Sequence, residues 1–426
     1  MDLSKLSSDE FDELRNPGPE QSEFEKICEK AFSRRDVFKG GMKFGLAALA
    51  LSSGAATLIP KKAKASRLAF DAVQANSLDT ITVPRGYSWH TVVSWGDPLW
   101  SGVEEFDHET RGTGASQELA FGDNNDGMQL YQHDSHYILA LNNEYSNLKV
   151  IHGNRASKKP ENPDDVRKNM AAQGNTVVEL AQRGGRWGIV KDSPYNRRIT
   201  PNTPMEITGP AAGHDLLKTS ADPSGTLSLG TWNTCANGST PWGTYLTCEE
   251  NFNGYYSSSD QEYPLTAEMK RYGVGHKDRG YGWATIDDRF DISKEPNESN
   301  RNGYVVEYDP TDPNFTPKKR TALGRFKHEN AEVVIAANGH AVVYLGDDER
   351  GEFLYRFVSK NKYTQGGDNR DLLEDGTLYV AKFIDDLRGE WLPLTPATTG
   401  MSKAEICIHS RIAASKIGAT TMDRPE

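Results

Sequence analysis

Short runs of β-branched and aromatic residues recur along this chain, and polar clusters rich in Gly, Asn, Asp and Pro separate them. Several runs alternate apolar and polar side chains, which is the pattern of a half-buried β-strand. The clearest runs are 90–95, 137–145, 176–182, 303–309, 331–338, 340–348, 352–359 and 376–383. The pattern therefore predicts an all-β fold.

The region 331–383 indicates how the strands are arranged. Asn338-Gly339 lies between two apolar runs and is the signature of a tight hairpin. Two further strand patterns follow it, and three or four successive antiparallel strands are the unit of a β-propeller blade. No repeat consensus accompanies the strands, so the pattern favours a propeller and leaves a large β-sandwich open.

Long polar segments and one helix complete the predicted elements. Segments 154–172 and 257–302 are too long for hairpin turns and are predicted to be loops, which at this length are often functional. The segment 410–418 is predicted to be a helix, with Ser410 as its N-cap and Gly418 as its stop.

The N-terminal region has the order of an export signal. Arg34 and Arg35 form a twin-arginine pair, a mildly apolar run covers 44–59, and Ala63-Lys64-Ala65 resembles a cleavage site. A membrane anchor is the alternative, although the run is short for that role. We therefore expect residues 1–65 to be an N-terminal extension with a signal peptide and 66–426 to be the functional domain. The twin-arginine translocation machinery would then be a partner, and the location would be periplasmic or secreted.

Composition narrows the function further. The formal net charge of −11 argues against a nucleic-acid partner and suits divalent cations, which bind carboxylate oxygens. Of the four cysteines, Cys28 falls in the predicted signal region and three remain. An odd number in an oxidising compartment means that at least one is free, bound to a metal or paired between chains.

The stretch "CANGSTPWGTYLTCEEN" at 235–251 holds two of those cysteines and two adjacent acids. A disulfide, a pair of core thiols and a metal site are all open on this pattern alone. Residues 244–251 have the pattern of a strand, so Glu249 and Glu250 should face opposite ways. At most one of these acids is then expected to share a pocket with Cys235.

Three other polar clusters could contribute ligands. His328, Glu329 and Asn330 precede an apolar strand, and residues 122–127, "GDNNDG", have the composition of a calcium loop without EF-hand spacing. At the C-terminus Arg424 and Glu426 are two apart, so an extended chain would place both on one side. Ordinary loop polarity, or a frayed terminus, is the alternative for each.

Together these motifs resemble the PhoX family of secreted alkaline phosphatases. The resemblance runs in consistent order from about residue 80 to 426. The segments that carry it, besides the twin-arginine pair, are "VPRGYSW", "GPAAGHDLL", "TWNTCANGSTPWGTYLTCEENFNGY", "RFKHENAEVV", "YLGDDERGEFLYRFVS" and "RIAASKIGATTMDRPE". The resemblance implies a six-bladed β-propeller, iron(III) and calcium as metal cofactors, and hydrolysis of phosphomonoesters.

Carried over by position, the resemblance also implies a site. Cys235 would be a thiolate ligand of iron, and Glu250, Glu329 and Glu426 would be carboxylate ligands of the metal cluster. Arg424 would bind the phosphate group of the substrate. The motif "LNNEY" at 141–145 departs from the family, which has His where this chain has Asn143.

The second departure is length, because family members continue beyond the Arg-Pro-Glu motif. We therefore expect a C-terminally truncated domain, with an incomplete propeller and an incomplete metal site. The protein is expected to be monomeric and to act on small phosphate esters. A non-catalytic calcium-binding propeller, an inactive fragment of the phosphatase, and a different propeller hydrolase such as a lactonase or a phytase-like enzyme remain the alternatives.

Overall fold

The computed structural model describes residues 14, 21–32, 71–384 and 388–425, and this part of the chain is mostly β-structure with short helices. The strands are β1 (Asn125–His133), β2 (His136–Asn143), β3 (Gly174–Arg183), β4 (Arg186–Ile189), β5 (Arg197–Ile199), β6 (Pro204–Thr208), β7 (Leu227–Leu229), β8 (Thr234–Ser239), β9 (Tyr245–Glu249), β10 (Val305–Tyr308), β11 (Lys318–Arg320), β12 (Glu332–Ile335), β13 (His340–Gly346), β14 (Arg350–Glu352), β15 (Leu354–Lys362), β16 (Gly376–Phe383), β17 (Gly389–Pro393) and β18 (Met422–Asp423).

The helices between the strands are short. The α-helices are α1 (Glu23–Phe32), α2 (Gly114–Glu118), α3 (Leu148–Ile151), α4 (Pro163–Ala171), α5 (Ala267–Arg271), α6 (Pro396–Thr399), α7 (Lys403–Ile408) and α8 (Ser410–Lys416). The 3-10 helices are Asp215–Leu217, Phe252–Tyr255, Trp283–Thr285, Asp288–Phe290, Glu298–Arg301 and Thr321–Leu323. None of the described helices is both long enough and apolar enough to span a bilayer.

Three larger sheets and one two-stranded sheet contain these strands. The first has the order β1-β2-β3-β4, with β5 also paired to β3, and the second has the order β7-β6-β11-β10-β9-β8. The third is β12-β13-β15-β16-β17, and β14 pairs with β18. The ladders are antiparallel except that β11 runs parallel to β6, so the second sheet is mixed.

Apolar side chains join the sheets into a continuous interior. Ile138 and Val177 of the first sheet pack with Tyr245 and Val306 of the second. A larger cluster connects the second sheet to the third and to α7 and α8; among its members are Leu246, Val305, Val343, Phe357, Val380, Ile406 and Ala413. The apolar residues of the alternating runs therefore form the inward faces of the packed sheets.

Most of the predicted strands are confirmed, and the hairpin around Asn338-Gly339 joins β12 to β13. The expected strand at 90–95 is wrong: this segment has no ladder partner among the described residues. Val92 and Val93 instead pack on the core of the first sheet, and Gly96 turns the chain with φ of 87°. The partial burial of Val92 and Val93 thus gives this segment the apolar pattern of a strand, although it forms no ladder.

The predicted loop at 154–172 contains α4, which the sequence analysis missed. Asn162 caps this helix by accepting a hydrogen bond from the backbone of Asp165, and Pro163 occupies its first turn. The helix predicted at 410–418 is confirmed as α8, but Ser410 is its first residue and His409 is the cap. Gly418 follows its end with φ of 71°.

The long segment 257–302 is ordered by aromatic packing rather than by strands. Trp232, Tyr255, Tyr256, Trp283 and Phe290 form a buried cluster with ring centroids 4.5 to 6.3 Å apart. Such rings supply enough buried area to hold an irregular segment in place. In the described chain no sheet closes on itself, so the six-bladed propeller stays a prediction.

Glu249 and Lys319 form a fully buried ion pair, with Nζ 2.7 Å from Oε1 and both side chains 0% exposed. Glu249 also accepts hydrogen bonds from the backbone N–H groups of Gly303 and Tyr304. Burial lowers the pKa of Lys319, and the neighbouring Glu249 opposes that shift. The pair therefore links β9 to β11 through two charged groups that have no contact with solvent.

We expect Glu249→Ala to destabilise the fold strongly, because it leaves the Lys319 ammonium buried without its carboxylate. The free energy of unfolding, measured by urea denaturation, should fall by about 3–5 kcal/mol. The control is Asp215→Asn, which removes the exposed ion pair with Lys218. If both variants shift the unfolding midpoint equally, the buried pair has no special role in stability.

Candidate metal centre

Four acidic residues lie at or near strand ends, on neighbouring parts of the three larger sheets. Glu144 follows β2, Glu250 follows β9, Asp348 comes just after β13, and Glu329 precedes β12. Backbone hydrogen bonds tie these strand ends to adjacent loops: Glu250 donates to the Asn233 carbonyl at 2.9 Å. The sheets thus bring together acids that are far apart in sequence.

Two β-bulges add a carboxylate and a thiol to this group. In β1 the register with β2 shifts between Asn125 and Met128, so the bulge contains Asp126. In β8 the register with β9 shifts between Thr234 and Asn237, and that bulge contains Cys235. A bulge turns a side chain away from the regular ladder, which is why bulges are common beside functional sites.

Cys235 lies at the centre of the resulting cluster. Its Sγ is 3.1 Å from Oε2 of Glu329 and 3.5 Å from Oδ2 of Asp126. One donor set consists of Asp126, Glu144 and Cys235, and a second consists of Cys235, Glu250 and Glu329. Within each set the ligand atoms lie within 4.8 Å of one another, so Cys235 is common to two adjacent sets.

The close approach of these groups changes their acidity. Burial raises the pKa of Glu144 to about 8, and Asp126 and Glu329 add to that shift while Arg279 opposes it. Burial also raises the pKa of Glu250 well above its usual range, together with the carboxyl of Asp348 and the charge of Glu144. The pKa of the Cys235 thiol is raised by burial and then by the nearby glutamates.

Asp348 connects the cluster to Arg424. The guanidinium of Arg424 forms a two-pronged ion pair with Asp348, in which Nη2 lies 2.9 Å from Oδ2. Burial alone would raise the pKa of Asp348, but hydrogen bonds from Arg424 and Glu250 outweigh it and the net shift is downward. Arg424 has a left-handed backbone, with φ of 50°, and its side chain is 32% exposed. Its head group is therefore held at the margin of the cluster.

The structure brings together three of the residues singled out from sequence, Cys235, Glu250 and Glu329, and places Arg424 beside them through Asp348. Glu426 lies outside the described residues. Cys248 is buried and both it and Cys235 are free thiols, so the disulfide alternative for this pair is not formed.

Two neighbours of the candidate ligands face the interior instead. Glu249 binds Lys319 as described above. His328 is fully buried, with Nε2 3.0 Å from the Gly324 carbonyl oxygen and its ring stacked on Phe326. Neither side chain joins the two donor sets among the described residues.

Sequence reasoning missed Asp126, Glu144, Asp348 and Arg279. The polar run 122–127 and the motif 141–145 were noted, but nothing in them distinguished Asp126 and Glu144 from their neighbours. The pair Asp347-Asp348 ends an apolar strand, just as Glu249-Glu250 does, and that repeated pattern was an available signal. No local motif marks Arg279.

The donor chemistry fits a metal centre. Carboxyl groups this close repel one another when ionised, and burial together with this repulsion raises the pKa of both Glu144 and Glu250. A multivalent cation would stabilise the ionised form of these carboxyl groups. Carboxylate oxygens suit calcium, and a thiolate combined with carboxylates suits iron.

Comparison with known proteins identifies the family. The sequence profile of the family described as alkaline phosphatase PhoX matches residues 68–426. The chain belongs to the PhoX family. It is also similar to a solved structure of Pseudomonas fluorescens PhoX in complex with vanadate, a transition state analogue, with 48% sequence identity and a TM-score of 0.79. That similarity covers 84% of this chain and 65% of the Pseudomonas chain, so this chain spans just under two thirds of that protein. No curated protein sequence shows significant similarity to this PhoX-family chain.

Metal binding to this PhoX-family site should release protons and strengthen as the pH rises toward 8. At pH 7 the raised pKa of about 8 keeps Glu144 protonated, so a divalent cation must displace that proton. Calorimetry of metal binding in buffers with different ionisation enthalpies measures the number released. Glu144→Gln should release about one proton fewer and bind more weakly.

The matched control for this experiment is Glu179→Gln. Glu179 pairs with His136 and Ser193 on the first sheet, and its pKa is lowered: burial raises it, but the hydrogen bonds from Ser193 and His136 outweigh burial. This variant should leave the number of released protons unchanged. Equal proton release by wild type and Glu144→Gln would contradict the assignment of Glu144 to the site.

Proposed function

We propose that this protein is a metal-dependent phosphatase that hydrolyses phosphomonoesters and releases inorganic phosphate outside the cytoplasm. The observation that carries the proposal is the pair of carboxylate donor sets sharing Cys235, with a paired arginine at their margin. The PhoX-family match supports it, as does the similarity to a PhoX structure solved with a transition state analogue.

The proposed metals are iron and calcium. Cys235, Glu250 and Glu329 would hold one ion, Asp126 and Glu144 would contribute to a second with the shared thiol, and Glu426 would be a further ligand. When bound, such ions neutralise the phosphate dianion and polarise its phosphorus–oxygen bonds. A thiolate ligand would favour iron at a site that includes Cys235, whereas calcium would need only carboxylate and carbonyl oxygens.

Arg424 is the proposed phosphate-binding residue. A guanidinium binds two oxygens of a phosphoryl group at once, and this geometry suits an oxygen-rich transition state. Asp348 restrains the guanidinium, so the cation is already oriented before substrate arrives. Arg279 is a second cation whose charge acts on Glu144, and it would add to the attraction for phosphate.

We also propose that the three larger sheets are blades of a β-propeller, as the family resemblance implies. The twin-arginine pair supports a proposed route of export to the periplasm or the medium through the twin-arginine machinery. Small phosphate esters are the proposed substrates, and a monomer is the proposed state. The net charge of −11 supports the expectation that nucleic acid is not a partner.

Hydrolysis of a chromogenic phosphomonoester tests the activity. The metal-loaded protein should release inorganic phosphate from this substrate. Chelation of calcium should abolish the release, and so should the Cys235→Ser substitution. Arg424→Lys keeps the charge but loses the two-pronged contact, so kcat should fall by about 100-fold or more. Arg186→Ala, at the exposed start of β4, is the control and should keep full activity.

Other outcomes favour the alternatives. Calcium binding without any release of phosphate would support a non-catalytic propeller or an inactive fragment. Hydrolysis of a lactone but not of phosphate esters would support a different hydrolase. Activity that survives complete removal of metals would overturn the metal-dependent mechanism.

The export route is tested separately by changing both Arg34 and Arg35 to Lys in the full chain. A twin-arginine signal depends on that pair, so the precursor should accumulate in the cytoplasm, as measured by cell fractionation and immunoblotting. Lys5→Gln is the control and should be exported normally. Unimpaired export of the double variant would exclude the proposed route.

A further inference from the structure

The two bulges that carry Asp126 and Cys235 lie against each other. A Cβ atom on Gly127 would approach the Ala236 carbonyl carbon and the Asn237 nitrogen to 2.7 Å, which is closer than real Cβ contacts. The absence of a side chain at Gly127 thus allows the bulge of β1 to touch the bulge of β8. The distance between Asp126 and Cys235 depends on this contact between two different sheets.

Asn142 fastens the bulge of β8 to the first sheet. It lies on β2 and is fully buried, and its Nδ2 donates to the carbonyl oxygens of both Cys235 and Ala236, the latter at 2.9 Å. A bulge leaves backbone groups outside the ladder, and buried backbone carbonyls require a partner. Asn142 supplies that partner for two successive residues of the bulge.

The amide oxygen of Asn142 also has several hydrogen-bond partners. Its Oδ1 lies 2.5 Å from Nδ2 of Asn175, 2.8 Å from Oγ1 of Thr247 and 3.0 Å from the hydroxyl of Tyr245. The same Tyr245 hydroxyl is 2.7 Å from the Gly127 carbonyl oxygen in the bulge of β1. One buried network therefore connects the backbone of both bulges.

We infer that Asn142 is a positioning residue that, with Tyr245, fixes Cys235 relative to Asp126 in the metal centre. This inference rests on the proposed metal site, and it assigns neither residue a direct contact with metal or substrate. The network fixes the backbone on both sides, so the Cys235 thiol is held against Glu329 and Asp126. Partners of this kind typically alter metal affinity about 10- to 100-fold when they are replaced.

The test compares Asn142→Ala with Asn196→Ala in a Cys28→Ser background. Asn196 is a matched control: it is also buried and also donates to two backbone carbonyls, those of Leu99 and Val190, but it lies away from the cluster. The Cys28→Ser change removes a second accessible thiol. Among the described cysteines that remain, Cys248 and Cys407 are buried and Cys235 is partly exposed. Both variants lose a similar buried amide, so a general loss of stability should appear in both.

The first readout is the rate at which an aromatic disulfide reagent modifies Cys235 in the metal-free protein. Asn142→Ala should react faster than the parent, because the released bulge exposes the thiol, and Asn196→Ala should react at the parent rate. The second readout is metal affinity from equilibrium dialysis with iron and with calcium. Asn142→Ala should bind iron about 10- to 100-fold more weakly, and Asn196→Ala should bind it as the parent does.

Tyr245→Phe keeps the ring and removes only the hydroxyl. It therefore tests the positioning role of the network if Asn142→Ala does not fold. It should change both readouts in the same direction and by less. Parent-like thiol reactivity and metal affinity in a folded Asn142→Ala or Tyr245→Phe variant would overturn the inference. A parent protein that binds metal but hydrolyses no phosphate ester would overturn the proposed function and leave the positioning test intact.

Discussion

The structure depends on a concentration of acidic groups whose charges repel one another in a small, partly buried space. Asp126, Glu144, Glu250 and Glu329 converge around the Cys235 thiol, and burial together with mutual repulsion raises the pKa of both Glu144 and Glu250. A protein interior tolerates such a group only if protons or cations neutralise it. The rest of the framework has to supply enough rigidity to hold these side chains together, because repulsion would otherwise separate them.

That rigidity comes from buried ion pairs immediately behind the cluster. Glu249 is bound to Lys319 and Asp347 to Arg411, while the adjacent residues Glu250 and Asp348 face the site. At both of these strand ends two successive acidic side chains point in opposite directions, as the alternation of side chains along a strand requires. The inner acid ties the strand to the core through a cation, and the outer acid is available for metal or for Arg424. A charge change at the inner position would consequently disturb the site without touching it.

The strand pattern, the hairpin at Asn338-Gly339 and the opposite orientation of Glu249 and Glu250 could be predicted from sequence, because they follow from local periodicity. The sequence also drew attention to Cys235, Glu250 and Glu329 through a long and specific motif. It did not distinguish Asp126 from the other polar residues of 122–127, because the feature that selects it is a bulge in the β1–β2 register. The helix α4 is not evident from the composition of its segment, which is as polar as a loop, although Asn162 and Pro163 signal its start. Contacts between sheets, which decide most of the site, have no local signature.

Contacts of this kind also surround Asn143, at the position where the family resemblance implies histidine. The Asn143 side chain is fully buried; its Oδ1 accepts from Thr176 at 2.6 Å and from the Arg198 guanidinium, and its Nδ2 donates to Asn125 at 3.1 Å. The partly buried guanidinium of Arg198 lies among neutral acceptors, and its desolvation lowers the pKa of Arg198 to about 9. The amide oxygen of Asn143 therefore accepts from two donors at once, whereas a neutral imidazole has a single acceptor nitrogen and a protonated one has none. These contacts anchor the end of β2, and the following residue, Glu144, belongs to the cluster with Asn143 at this position.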